Sequence, residues 1–173
     1  MKKYFLAWAM GAVVMLSAFT LKVNSTWRTL DGYVVKMKSE KFDGTFTGLK
    51  SSIQFDEGNP TAAKISATID AGSINTGNGM RNKHAQQGLD SEKFPTVQFT
   101  STSVSKTASG YVANGKLTIK DVTKDIQIPF TFSRNGNGGI FNGGFEVVPA
   151  EYNVTKGGTP EKLSIELQIP VSQ

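Results

Sequence analysis

The sequence predicts an all-β fold: an eight-stranded antiparallel up-and-down barrel with one short helical excursion between its third and fourth strands. Three observations lead there. Apolar and polar residues alternate with a period of two through nearly the whole chain, as in strands half buried against a core. Turn-forming clusters separate these runs at short intervals, and 18 glycines are spread among them. The 173 residues contain no internal repeat or low-complexity linker, so the strands belong to a single domain.

The first strand lies within Trp27 to Lys38, where Leu30, Tyr33, Val34, Val35 and Met37 alternate imperfectly. The second, Gly44 to Phe55, puts Leu49, Ile53 and Phe55 on one face and Phe46 on the other, and Glu57-Gly58-Asn59-Pro60 forms the following turn. In the third, Ala63, Ile65, Ala67, Ile69 and Ala71 share a face opposite Lys64, Ser66, Thr68 and Asp70, and Gly72 ends it. Residues 73–79 (SINTGNG) have loop chemistry. Met80 to Gln87, free of Gly and Pro and without alternation, predicts a helix capped by Asn78 and ended by Gly88.

The chain returns in Pro95 to Lys106, with Val97 and Phe99 on one face. Ser109-Gly110 leads into the fifth strand, whose face is Tyr111, Ala113, Gly115, Leu117 and Ile119. Residues 120–124 (KDVTK) turn into Ile126, Ile128, Phe130 and Phe132. Pro129 falls on the opposite parity, and because proline donates no ladder hydrogen bond it belongs at a bulge or a weakly paired site. After the turn at residues 135–139 (NGNGG), Phe141, Phe145 and Val147 share a face. Leu163, Ile165, Leu167, Ile169 and Val171 make the last strand, the cleanest alternation of all.

Closing eight strands removes exposed edges and leaves an interior that side chains can just fill or that can hold one small ligand. Small inward residues, Ala63, Ala67, Ala71, Ala113 and Gly115, argue for space. Phe99, Phe130, Phe132 and Phe145 argue for filling, and composition alone leaves the two readings level. A filled barrel would make a protein–protein interaction module.

Lys2 and Lys3 followed by an uncharged apolar run to Phe19 have the layout of a secretory signal. Residues 1–25 are read as that signal and 26–173 as the barrel domain, with the mature chain starting between Phe19 and Trp27 and no stable membrane span remaining. The run is short against the roughly 20 residues of a spanning helix. The expected location is periplasmic or secreted. There is no cysteine, so the core and sheet closure must hold the fold. The charge of +5, lower still without Lys2 and Lys3, is too mild for nucleic acid, and no basic stripe accompanies the aromatic residues of KFPTVQF.

His84 is the only histidine, which excludes a His/Cys metal site and leaves a hydrolase one imidazole to work with; no Gly-x-Ser-x-Gly surrounds any serine. No enzyme, no metal and no cofactor are expected. Arg81 has two readings, a structural ion pair with Asp70 or Asp90, or a contact at a polar mouth.

The run ATIDAGSINTG, with Arg81 and His84 in the helix that follows, then KFPTVQFTSTSV, GYVANGKLTIKDVTKDIQIPFTF from Gly110 and FDGTFTGLKSSIQFD from Phe42, together resemble the YceI-like family of lipocalin-like, lipid-binding barrels. The likeness is spread over most of the chain, in order. It implies a polyisoprenoid-type lipid as partner, such as a polyisoprenoid or an isoprenoid quinone, held in the barrel; a homodimer is compatible with it. The barrel interior expected to meet the lipid is Leu49, Ile53, Phe55, Ile65, Ala67, Ile69, Val97, Phe99, Tyr111, Leu117, Phe130, Phe132, Phe145 and Leu167. The expected mouth is Asn75, Asn78, Arg81 and His84. Each five-carbon isoprene unit buried would contribute roughly 3 kcal/mol gross, at about 0.8 kcal/mol per CH₂. Two departures stand out: the first strand ends VVKMKSEKF, without the histidine common in the family, and Asn82 stands where an aspartate often follows the arginine.

Overall fold

The computed structural model describes residues 25–173; the segment read as a signal, but for Ser25, lies outside the described residues. Ten strand segments form one antiparallel sheet: β1 Thr26–Thr29, β2 Val34–Lys38, β3 Gly44–Phe46, β4 Lys50–Gln54, β5 Lys64–Asp70, β6 Thr96–Thr107, β7 Gly110–Ile119, β8 Val122–Asn135, β9 Gly138–Val147 and β10 Leu163–Ser172. Both β1 and β2 pair with β10, through Arg28↔Ser172 and Leu167↔Val35, so they are two halves of one stave. β1 also pairs with β4, and β2 with β3, which makes β3 and β4 halves of the next stave. Eight staves result, each hydrogen-bonded to the next, and β10 closes the barrel onto the first.

Both breaks have a local cause. Gly32 at φ +84° and Gly48 at φ +72° adopt the left-handed region that side chains resist, and each stops its stave. The gap between them is stitched by the Leu49 N–H, which donates to Tyr33 Oη at 3.0 Å, and by Thr29 and Ser51, whose hydroxyls lie 2.6 Å apart. The break also resets parity. Phe46, expected on the outer face, lines the interior together with Leu49, because the turn at Gly48 adds the residue that alternation alone would not allow. In β6 a bulge at Thr102 does the same, so that Phe99 and Val104 both point inward.

The helix, α1 Gly79–Leu89, lies between the third and fourth staves as the sequence predicts. The Asn78 side chain caps it, accepting from the Arg81 N–H at 3.0 Å. Gly88 does not end it. That glycine is buried inside the helix beneath Val154 and Lys156, and the helix stops at Asp90, which takes the left-handed conformation at φ 50°. Gln86 Nε2 donates to the Gly72 carbonyl at 2.7 Å and ties the helix to the end of β5.

Far from the helix, six rings close the barrel. Trp27, Phe55, Tyr111, Phe130, Phe132 and Phe141 pack mostly edge to face, and Phe55, at 0 % exposure, has four of them at 5.0–5.7 Å. Trp27 Nε1 donates to the Phe55 carbonyl at 2.9 Å, which satisfies the buried indole. Burial, with the Glu57 charge adding to it, raises the Tyr111 phenol above its ordinary pKa and keeps it neutral. Arg134 stacks over Trp27 at 4.9 Å and pairs with Glu57 at 3.1 Å, capping this end.

Candidate functional site

The aromatic plug fills only half the barrel. Between it and the helix lies an apolar cavity of about 230 Å³. Eleven of the fourteen interior residues expected from the sequence line it: Leu49, Ile53, Ile65, Ala67, Ile69, Val97, Phe99, Leu117, Phe130, Phe145 and Leu167. Phe55, Tyr111 and Phe132 do not. They point inward as predicted, but at the far end, where large rings facing one another across a narrow barrel meet and leave no space. Filling and vacancy thus both occur, in different halves. Among the small residues, Ala67 and Ala113 line the cavity, whereas Ala63 and Ala71 are buried outside it. Gly115 contributes no space, because the Phe99 ring covers it: a Cβ there would lie 2.6 Å from that ring.

Lining residues outside the expected fourteen come mostly from the interrupted staves and the last strands. Val35, Met37 and Phe46 line the cavity from the first two staves, and Gly143 and Val147 from β9. The signal was present for Val147, which shares the face of Phe145; for Phe46 it was hidden by the break at Gly48.

Above the cavity a second space of about 470 Å³ opens between α1, the β2–β3 turn and the loop after β9. Met37, Ile119, Val147 and Leu163 line both spaces, so the interior continues into this mouth. Asn78, Arg81 and His84 stand on its wall as the sequence reading placed them. Asn75 does not. Its backbone pairs with Thr45 and its side chain accepts from the Gly77 N–H at 2.9 Å, so it braces the loop.

The mouth carries Lys41, Arg81 and Lys156 and no carboxylate. Among the described residues Arg81 makes no ion pair with Asp70, Asp90 or any other acid; its guanidinium lies 4.8 Å from the centre of the Phe42 ring. That leaves its donors facing the opening. Lys41 Nζ reaches the Thr159 carbonyl at 3.4 Å, and Lys156 bonds to Gln87. Asn82 is structural: its Oδ1 accepts from both the N–H and the hydroxyl of Thr76, each at 2.7 Å. A carboxylate could accept the same two bonds, so asparagine at this position keeps the loop in place. His84 is exposed on the helix, and among the described residues no group of three or more His, Asp or Glu is placed to hold a metal ion.

An open barrel with an apolar interior and a polar rim can hold a long apolar molecule with its polar end at the rim. Comparisons with known proteins agree with that architecture. The YceI-like domain matches residues 20–172. A UPF0312 protein of Yersinia enterocolitica is 35% identical over 136 residues, covering 74% of this chain and 71% of its own, and one of Yersinia pestis is 32% identical over the same length. Burkholderia cenocepacia BcnA superposes with a TM-score of 0.75 at 24% identity, over 82% of this chain and 96% of its own. A polyisoprenoid binding domain from Saccharophagus degradans, implicated in plant cell wall breakdown, superposes at a TM-score of 0.62 and 12% identity, over 87% of this chain and 99% of its own. The last two likenesses concern the fold alone. With a match that runs the whole length of the barrel, and relatives above 30% identity across most of it, this chain belongs to the YceI-like domain family.

Proposed function

We propose that this protein holds a long apolar lipid, of polyisoprenoid or isoprenoid-quinone type, inside its barrel for storage, transport or sequestration, and carries out no covalent chemistry on it. The observation that carries this reading is the apolar cavity of about 230 Å³ that runs without a floor of polar groups into a cationic mouth. Hydrocarbon in the interior meets apolar side chains almost throughout, with Ser51 and Thr68 the polar residues of the lining, and a polar or anionic head at the mouth meets Lys41, Arg81 and Lys156. The polyisoprenoid binding named for the Saccharophagus relative supports the choice of chain. The Lys2-Lys3 start with its apolar run supports action outside the cytosol, in the periplasm or secreted, after removal of that segment.

Organic extraction of protein purified from its own host, followed by mass spectrometry, tests the reading. Isoprenoid species should appear in near-stoichiometric amount, and their absence from repeated preparations would favour a barrel that serves as an interaction module.

His84→Ala should leave the unfolding free energy within about 0.5 kcal/mol, as for exposed surface changes, and retain bound lipid within about twofold. Since the imidazole is exposed and no acid or nucleophile is bonded to it among the described residues, loss of a measured turnover in this variant would overturn the non-enzymatic reading.

A further inference from the structure

One seam of the barrel is unlaced on its mouth side. The β8–β9 ladder runs from Asn135↔Gly138 to Phe130↔Gly143 and stops there. Continuing it would set Pro129 against Gly144, Ile128 against Phe145, Gln127 against Glu146 and Ile126 against Val147, and none of these pairs forms. Each lip stays laddered on its other side, β8 to β7 as far as Ile119↔Val122 and β9 to β10 as far as Leu163↔Val147. Four residues per lip give a slit roughly 13 Å long at ~3.3 Å per residue. Proline on one lip cannot donate a ladder bond, and the Gly143-Gly144 pair on the other lets β9 bend away.

The slit differs from the other unlaced stretch, between the first two staves, which the Thr29–Ser51 and Tyr33–Leu49 hydrogen bonds stitch together. Among the described residues no side-chain hydrogen bond crosses between Ile126–Pro129 and Gly144–Val147. Its closure comes at the mouth end, where Lys124 Nζ pairs with Glu151 Oε2 at 3.0 Å and Lys120 Nζ donates to the Asn153 carbonyl at 3.0 Å. The inner lips are apolar: Ile128, Phe145 and Val147 all line the cavity, and Val147 lines the mouth as well.

We propose that the apolar chain enters and leaves sideways through this β8–β9 seam while its head remains at the mouth, the Lys124–Glu151 pair serving as the clip that holds the seam shut. Parting the lips there separates no paired residues of the ladder, whereas parting any fully laced seam does. A chain threaded end-on would instead drag its whole length past Lys41, Arg81 and Lys156. The slit meets the mouth at Val147, so a tail can swing out laterally without the head crossing the wall. This inference rests on the lipid-carrying reading above.

The chain has no cysteine, so thiols can be placed singly. Gln127→Cys with Glu146→Cys puts an outward thiol on each lip, and dibromobimane bridges them. Thr131→Cys with Asn142→Cys bridges the same seam where it is laced, at the observed pair Thr131↔Asn142. Uptake of all-trans retinol, an isoprenoid alcohol, from phosphatidylcholine vesicles is followed by its fluorescence rise. The 127–146 bridge should slow uptake at least tenfold relative to the same protein unbridged, and the 131–142 bridge should leave the rate within twofold. Equal rates with and without the 127–146 bridge, or equal slowing by both bridges, overturn the portal. No uptake by the parent protein instead defeats the lipid-carrying reading, and the portal with it. If the first pair fails to fold, Lys124→Cys with Glu151→Cys closes the same slit at its clip and is read by the same outcomes.

Discussion

Phe55→Ala should lower the unfolding free energy by about 3–5 kcal/mol, the usual cost of removing a buried ring. Phe55 is fully buried, and four rings press on it: Tyr111 at 5.0 Å, Phe141 at 5.4 Å, Phe132 at 5.5 Å and Phe130 at 5.7 Å. Edge-to-face pairs contribute about 0.5–1.5 kcal/mol each beyond the area they bury. The ring sits at the end of a rigid sheet whose backbone cannot collapse inward to fill the gap. Against a typical total of about 5–15 kcal/mol, such a loss is a large fraction. Urea unfolding checks it, with a lower midpoint at unchanged slope. Lipid content should change little in the variant that remains folded, because Phe55 does not line the cavity. A cost below about 1 kcal/mol would mean that the plug is loosely packed.

Ala67→Trp should act in the opposite manner, abolishing ligand and sparing the fold. Ala67 lies at the middle of β5, between Ser51 and Phe99 in the sheet, and its methyl faces the cavity. An indole there occupies the space of about 230 Å³ that the apolar chain would use. Extractable lipid should fall at least tenfold, while the unfolding free energy of lipid-free protein stays within about 1 kcal/mol. Were the interior already packed, the same ring would cost about 1–3 kcal/mol or more. Lys64→Trp, on the outward parity of the same strand, is the control. Destabilisation of Ala67→Trp by several kcal/mol, with no lipid ever recovered from the parent, would falsify the cavity.

Period-two alternation made the closed barrel and most of its inward face legible, because one buried side forces every second residue apolar. β5, β7 and β10 follow it without exception. It failed where the backbone changes phase. Gly48 brings Phe46 inward, and the bulge at Thr102 brings Val104 inward, since neither event alters the composition of the strand. Alternation also says which face a residue occupies and not how far along the barrel it sits. That is why alternation places Phe55, Tyr111 and Phe132 among the cavity residues although they plug the other end. Gly88 misled for a related reason: a glycine near a helix terminus reads as a stop signal, yet here it is the place where the segment around Val154 packs onto the helix. Arg81 could not be resolved from sequence, because whether a carboxylate lies in reach is a matter of three-dimensional placement; Asp70 and Asp90 are near in the chain and form no pair with it.

β10 carries a consequence for how the chain reaches this state. It is the one stave that touches β9, β2 and β1, joining Leu163–Ser172 to strands that begin at Thr26. The barrel does not close until Leu163–Ser172 meets the strands at Thr26–Lys38, and pairings so distant in sequence make for slow folding. Until then Phe141 and Phe145 lack a covering strand, and the run of consecutive strands from β4 to β9 keeps an open edge at β9. The seal is therefore made by β10 docking between β9 and the first stave, a step that follows the pairing of the local hairpins.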